Sequence, residues 1–194
     1  MKQAKVLSDK EFKRLLKVVD AGRHGPRNRV AVMLSHYAGL RVGEISHLTV
    51  GDIQNPDGSI VDQVHLNPAY TKGGVGRTVF INARLTKELK KYVAGLSGLP
   101  PRLSGLDAPL ITSQKRGPFS PNSLCQMFAE LYRHAGIKGA SSHSGRRSFI
   151  TKLAHAGISA KVIMELAGHK HLTTTQRYID VNDEMKREAV EVLS

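Results

Sequence analysis

One cysteine, Cys125, stands in 194 residues, and that scarcity excludes an intramolecular disulfide and fits a reducing compartment. Its apolar helical surroundings suit a buried structural thiol better than a nucleophile. Long apolar runs are missing as well. None approaches the ~20 residues of a membrane span, and the opening MKQAKVLSDK lacks the apolar stretch of a signal peptide. A soluble cytoplasmic protein with no membrane partner is therefore expected. Internal repeats and low-complexity tracts are absent, as are the C-x-x-C and H-E-x-x-H spacings of metal sites and the G-x-x-x-x-G-K-[ST] order of a nucleotide-binding phosphate loop. The most informative shortage is of acidic residues. Asp and Glu number 16 against 29 Lys and Arg, for a net charge of +13, which points to a polyanion such as DNA or RNA.

What is present is a mainly helical pattern in one domain, residues 1–194. Ser8 and Glu11 have capping-box spacing ahead of Phe12, Leu15, Leu16, Val18 and Val19, which predicts a helix over 9–20. After a glycine-rich basic linker, Pro26 suits the start of a second, strongly buried helix that Gly39 breaks. Arg41 opens a short third helix with Val42, Ile45 and Leu48 as core candidates. An arginine among so many apolar residues is costly without an anion or carboxylate, and Glu44 is its obvious local partner. The periodicity then changes. Alternation over 60–66 and an apolar run over 78–81 predict two strands around the glycine-rich loop 72–77, and 110–112 suggests a third short strand. Helices follow over 84–96, from Pro121 to Gly136, and over 182–193, with 97–109 as a connector. The fold class expected is α+β, mainly α, a helical bundle with a small antiparallel three-stranded sheet.

The stretch from Ser141 to Tyr178 organises the rest. His143 and Arg146 share a helix face, with Ile150, Leu153 and Ala154 available to bury the other side and Gly157 to end the helix. Ser159 can cap a second helix with the apolar stripe Val162, Ile163 and Leu166, closed by Gly168. His169 falls just past that stop. Thr173 and Gln176 have capping-box spacing, and Tyr178 lies about one turn beyond. These are the parts that phosphodiester transfer needs: a nucleophile, forked cations for the phosphate oxygens, and groups that give and take protons. On the residues alone the tyrosine remains open. Tyr37, Tyr92 and Tyr132 read as core, and Tyr70 is undecided. The rival use of the histidines is a metal site, but His143, His155, His169 and His171 do not have ligand spacing, and His155 and His171 read as packed or solvated.

Four motifs in order resemble the tyrosine recombinases, or phage integrase family: Ala38-Gly39-Leu40-Arg41-Val42-Gly43-Glu44 its first arginine box, Thr71-Lys72-Gly73-Gly74 its lysine hairpin, His143 to Arg146 its H-x-x-R, and Leu166 to His169 its L-A-G-H, with a tyrosine nine residues later. The resemblance implies that Tyr178 is the nucleophile, leaving a 3′-phosphotyrosine and a free 5′-hydroxyl. It implies that Arg41 and Arg146 bind the scissile phosphate, Lys72 protonates the leaving oxygen, His143 takes or steers the tyrosine proton and His169 hydrogen-bonds the phosphate. Glu44 would support Arg41, with no cofactor, metal or ATP. The partners implied are double-stranded DNA, a homotetramer on paired sites built from free monomers, and accessory DNA-bending proteins. The encoding cell would be prokaryotic, or the gene phage- or mobile-element-borne. Strand relaxation of the type IB topoisomerase kind shares this chemistry, and a regulatory or architectural DNA-binding protein shares the fold.

Two departures from the family pattern are visible. The box reads HSGRR where many members have H-x-L-R-H, so Arg147 adjoins Arg146; spacing from His143 assigns the phosphate to Arg146. The first arginine box begins near residue 38 with only one or two helices ahead of it. The N-terminal helical domain with which integrases commonly close a clamp on DNA is thus not expected in this chain, which is either a piece cut from a longer protein or resembles the short fimbrial invertases. Half a clamp implies weaker, salt-dependent binding. The last helix, 182–193, would pack on its own domain or pass to a neighbouring subunit.

Overall fold

A computed structural model describes residues 3–71, 74–179, 186–187 and 190–191. The elements follow the caps and apolar spacings closely. Helix α1 spans Asp9–Asp20 and opens with a complete capping box: Glu11 N–H donates to Ser8 Oγ at 3.2 Å and Ser8 N–H to the Glu11 carboxylate at 3.1 Å. Helix α2, Gly25–Tyr37, carries Pro26 in its first turn, and its run from Val30 to Leu34 is buried all round. Burial on every side means that it is a central helix, and α1, α4 (Ala83–Ala94) and α7 (Ser144–His155) indeed pack around it. Between α2 and α4 come α3, Val42–His47, and a hairpin of β1, Gln63–Leu66, with β2, Arg77–Phe80. The hairpin is antiparallel, with Val64 opposite Val79; Val64, Leu66 and Val79 face the core while Gln63 and His65 face solvent. Alternation of period two produces that division.

The sheet has two strands among the described residues, not the three expected. Residues 110–112 form no strand; there are only isolated bridges, Thr49 to Pro109 and Thr112 to Pro118. Prolines occupy two of those positions and have no N–H to extend a ladder. The expected connector 97–109 holds a four-residue helix, α5, Pro101–Ser104. Helix α6, Pro121–His134, is capped by Ser120, whose Oγ accepts from Ser123 N–H. Helices α8, Ala160–Ala167, and α9, Leu172–Gln176, complete the order. The N-cap of α9 is His171, so Thr173 sits inside its first turn and does not cap it. Cys125 is only partly buried, with its thiol 3.4 Å from Ser142 Oγ, and Tyr37 is half-buried where Tyr92 and Tyr132 are core.

Two apolar clusters result. The large one joins α1 to α4, α6 and the hairpin around Phe128, Leu15, Met33 and Leu85. The small one consists of Ile150, Ala154, Ile163 and Ala167, flanked by Phe149, Leu153, Tyr178 and Ile179. Helix α7 links them. Its Gly145 lies so close to α2 that a Cβ there would stand 2.5 Å from Ser35 Oγ, so glycine sets how near the two helices approach. Lys72 and most of the expected last helix lie outside the described residues, although 186–187 and 190–191 are helical.

Candidate active site

The site lies where the two clusters meet, and its first component is a break. Gly39 adopts φ +63°, a conformation glycine takes without a Cβ penalty, and a Cβ there would also collide with the ring of Phe149. The chain turns at this point, and Arg41 becomes the N-cap residue of α3 in extended backbone. Glu44, one turn on and 2% exposed, accepts from the Arg41 N–H at 2.7 Å and from Arg41 Nη1 at 2.7 Å. Its other partner comes from the hairpin: Arg77 Nη2 donates to Glu44 Oε2 at 2.7 Å. Burial opposes ionisation of Glu44, but Arg77 and Arg41 outweigh it and hold its carboxyl below the usual range.

The second component is the end of α8. Gly168 closes that helix at φ +60°, and the last carbonyls of a helix have no partner within it. Three arginines from three different elements take them. Arg77 Nη1 donates to Leu166 O at 2.7 Å, Arg146 Nη2 donates to Ala167 O, and Arg41 Nη2 donates to Gly168 O at 3.2 Å. Cations at this pole also suit the negative end of the helix dipole. Arg146 uses a further donor on Gly39 O at 2.7 Å, so the break after α2 and the end of α8 share one guanidinium. Burial first, then the Arg41 and Arg77 cations, pulls the Arg146 pKa down to about 9, which leaves it charged at neutral pH.

The third component is what that helix end carries. His169 follows Gly168 directly, and its Nδ1 lies 2.9 Å from the buried Thr175 Oγ1. Its ring stacks on Tyr178 with centroids 5.9 Å apart and planes 19° from parallel. Burial, and then the Arg146, Arg41 and Arg77 charges, lower its pKa to about 4, so the imidazole is neutral at pH 7. Tyr178 is half-buried on the small cluster, with the Arg147 guanidinium 5.6 Å from its ring centroid.

Arg41, Glu44, Arg146, His169 and Tyr178 are therefore joined by a connected set of contacts. His143 stands at the N-cap of α7, exposed, one turn ahead of Arg146. Lys72 lies outside the described residues; Thr71, beside it, lines a cleft of ≈ 520 Å³ with Arg41, Arg77, Phe80, Val162 and His169. Val162, expected in a buried stripe, is 47% exposed on that cleft, while Ile163 takes the core position. Among the described residues no three His, Cys, Asp or Glu side chains gather as metal ligands.

Sequence reasoning gave no role to Arg77, Thr175 or Arg147. Arg77 was legible in one respect: a buried glutamate has four lone-pair sites, and Arg41 alone does not fill them.

Similarity to known proteins bears on this site. A profile of the phage integrase family matches residues 5–185, and the chain belongs to that family of tyrosine recombinases. It is 33% identical over 189 residues to the tyrosine recombinase XerA of Pyrococcus furiosus, covering 96% of this chain and 61% of that protein. Over 177 residues it is 29% identical to the tyrosine recombinase XerD of Neisseria meningitidis serogroup B, covering 91% and 58%. It thus spans about 60% of the length of such relatives. A crystal structure of XerA recombinase superposes with a TM-score of 0.74 at 26% identity, covering 96% of this chain and 65% of that one. A Tn1549 transposon integrase bound to circular intermediate DNA superposes with a TM-score of 0.75 at 20% identity, over 100% and 68%, which shows the shared fold.

Proposed function

We propose that this chain is the catalytic domain of a site-specific DNA recombinase that cleaves and rejoins strands through a 3′-phosphotyrosine at Tyr178. The observation that carries this reading is the convergence of Arg41, Arg146, His169 and Tyr178 on the single turn that ends α8.

In the proposed step the Tyr178 oxygen attacks phosphorus while its proton passes to His143. The bond from phosphorus to the 5′-oxygen breaks, and that oxygen takes a proton from Lys72. Arg41 and Arg146 bind the non-bridging oxygens. Each guanidinium has five N–H donors and the contacts named above occupy only some of them, so both can add a phosphate to the carbonyls they already hold. When Thr175 donates its hydroxyl to His169 Nδ1, the neutral ring presents Nε2–H, a donor to the phosphate that adds no charge. The ester conserves the energy of the broken bond, so rejoining by a second 5′-hydroxyl is the reverse of cleavage and implies no metal, cofactor or ATP.

Double-stranded DNA is the proposed partner, engaged by four copies on two paired sites. Solved relatives include XerH bound to its difH substrate and a λ integrase dimer on a core site, and Val190, in the helix proposed to pass between copies, is 66% exposed. The rival reading, a DNA-binding protein that does not cut, draws support from the arginines' occupation by backbone carbonyls. One experiment separates the two. A pool of nicked duplexes with randomised sequence around the nick is incubated with the protein and run on a denaturing gel. Recombinase chemistry predicts a protein–DNA adduct that Tyr178→Phe abolishes while duplex binding persists. No adduct from any member of the pool favours the non-cutting protein, and adduct persisting in Tyr178→Phe refutes the assignment of the nucleophile.

A further inference from the structure

Consecutive residues on a helix point about 100° apart, so Arg146 and Arg147 leave α7 in different directions. Arg146 faces the carbonyls at the end of α8. Arg147 leaves the helix about 100° round from it, with its guanidinium 5.6 Å from the centre of the Tyr178 ring. Its Nε is buried and has no hydrogen-bond partner among the described residues. A buried donor left unmatched is expensive, and here the aromatic face of Tyr178 is what the cation meets instead. On the same ring lies His169, stacked at 5.9 Å. The imidazole is uncharged at neutral pH, and the Arg146 fork donates to Gly39 O and Ala167 O while its charge also reaches Tyr178. Among the described residues Arg147 is the cation that lies over this ring.

The geometry points to Arg147 as the positioning residue of the nucleophile: its guanidinium grips the Tyr178 ring, fixes the direction of the phenol oxygen, and favours the negative charge that develops there as the proton leaves. This rests on Tyr178 being the nucleophile, but the grip on the ring is testable without it. Removing the cation leaves the apolar seat of Tyr178 intact, so the ring stays docked and loses its orientation and charge partner. Arg147→Met keeps the length of the side chain without charge, and Arg147→Lys restores a cation without the planar fork.

The test uses the full chain in two arms. In the first, tyrosine ring carbons are labelled and the Tyr178 signal is assigned by its loss in Tyr178→Phe. Arg147→Met is expected to move that signal while leaving the signals of the other four tyrosines in place, out of 5 in the chain. In the second, the rate of adduct formation at saturating nicked duplex is measured beside the Kd for the same duplex. Arg147→Met is expected to slow the rate at least ~10-fold, the scale of a desolvated cation–π contact, with Kd changed less than about threefold. Arg147→Lys is expected to recover most of the rate. An unmoved Tyr178 signal overturns the inference whether or not adduct forms. So does an unchanged rate, or a loss that Lys does not rescue and that Kd follows in proportion. Absence of adduct from the wild-type chain, with the Tyr178 signal still moved by Arg147→Met, would count against the recombinase reading and leave the grip standing.

Discussion

The two apolar clusters are closed in different ways. The large one is sealed by side chains such as Phe128, Leu15, Met33 and Leu85, each at or near zero exposure, with polar ties such as Arg29 to Asp20 and Glu88 at its margin. The small one has four buried members, two of them alanines, and little apolar area to bury. Its helix α8 is tied to the rest by Arg41, Arg77 and Arg146 on three successive carbonyls. Apolar packing is non-directional, whereas a guanidinium on a carbonyl is directional and can be shared with an anion. The scaffold thus fixes where the arginines start, and the arginines fix where His169 and Tyr178 end. On the proposed function, a phosphate entering this site would bind to the same groups that dock the segment bearing Tyr178.

Substitutions in the two regions should fail in different ways. The largest effect falls on the arginines. Arg146→Lys, or Arg41→Lys, keeps a charge but loses the fork, and cleavage should drop at least ~100-fold in single-turnover assays with little change in helix content. In the large cluster, Phe128→Ala should cost about 3–5 kcal/mol of unfolding free energy in urea titration, because it empties the centre of the core. Ile163→Ala, in the small cluster, should cost less global stability. Its signature should be faster hydrogen exchange confined to α8 and α9, together with slower cleavage. Equal global losses from the two would break the distinction between scaffold and site.

The smallest effect concerns acid. Burial, and then the nearby Lys152 charge, lowers His36 to about 3, and His169 lies at about 4. Both folded values are below the ordinary 6.5, so the unfolded chain takes up protons first as pH falls. The stability from keeping them neutral is complete above about pH 6.5 and is lost progressively toward pH 4 and pH 3. His36 stacks on Phe12 at 3.7 Å, with neither ring nitrogen hydrogen-bonded among the described residues. His36→Leu should therefore reduce the stability lost between pH 7 and pH 5 by about 2 kcal/mol, from ~1.36 kcal/mol per pH unit. An unchanged acid limb would show that another group governs it.

Local chemistry was legible in the sequence and tertiary chemistry was not. The caps at Ser8, Ser120 and Ser159 and the stops at Gly39 and Gly168 fix helix ends through contacts within a few residues, so α1, α6 and α8 are close to the bounds expected. Resemblance to the family's motifs singles out Arg41, Arg146, His169 and Tyr178; residue spacing alone leaves the tyrosine open. The third strand is absent among the described residues although Leu110-Ile111-Thr112 satisfies a strand pattern, which holds whatever faces it; the isolated bridges there involve prolines. Val162 matched a helical stripe but points into a cleft that forms only once the hairpin packs against α8. Arg77 meets Glu44 across 33 residues and Leu166 across 89, separations at which no periodicity carries information.

The central claim is that Tyr178, held at the end of α8, takes the DNA strand. Its most direct test is to digest the protein–DNA adduct with trypsin and find the peptide that carries nucleotide mass. Cleavage after Arg177 and Lys186 releases residues 178–186 with Tyr178 as the lone tyrosine. The account predicts the added phosphonucleotide on that peptide. Nucleotide mass on any other peptide, such as the one bearing the 49% exposed Tyr70, would contradict it.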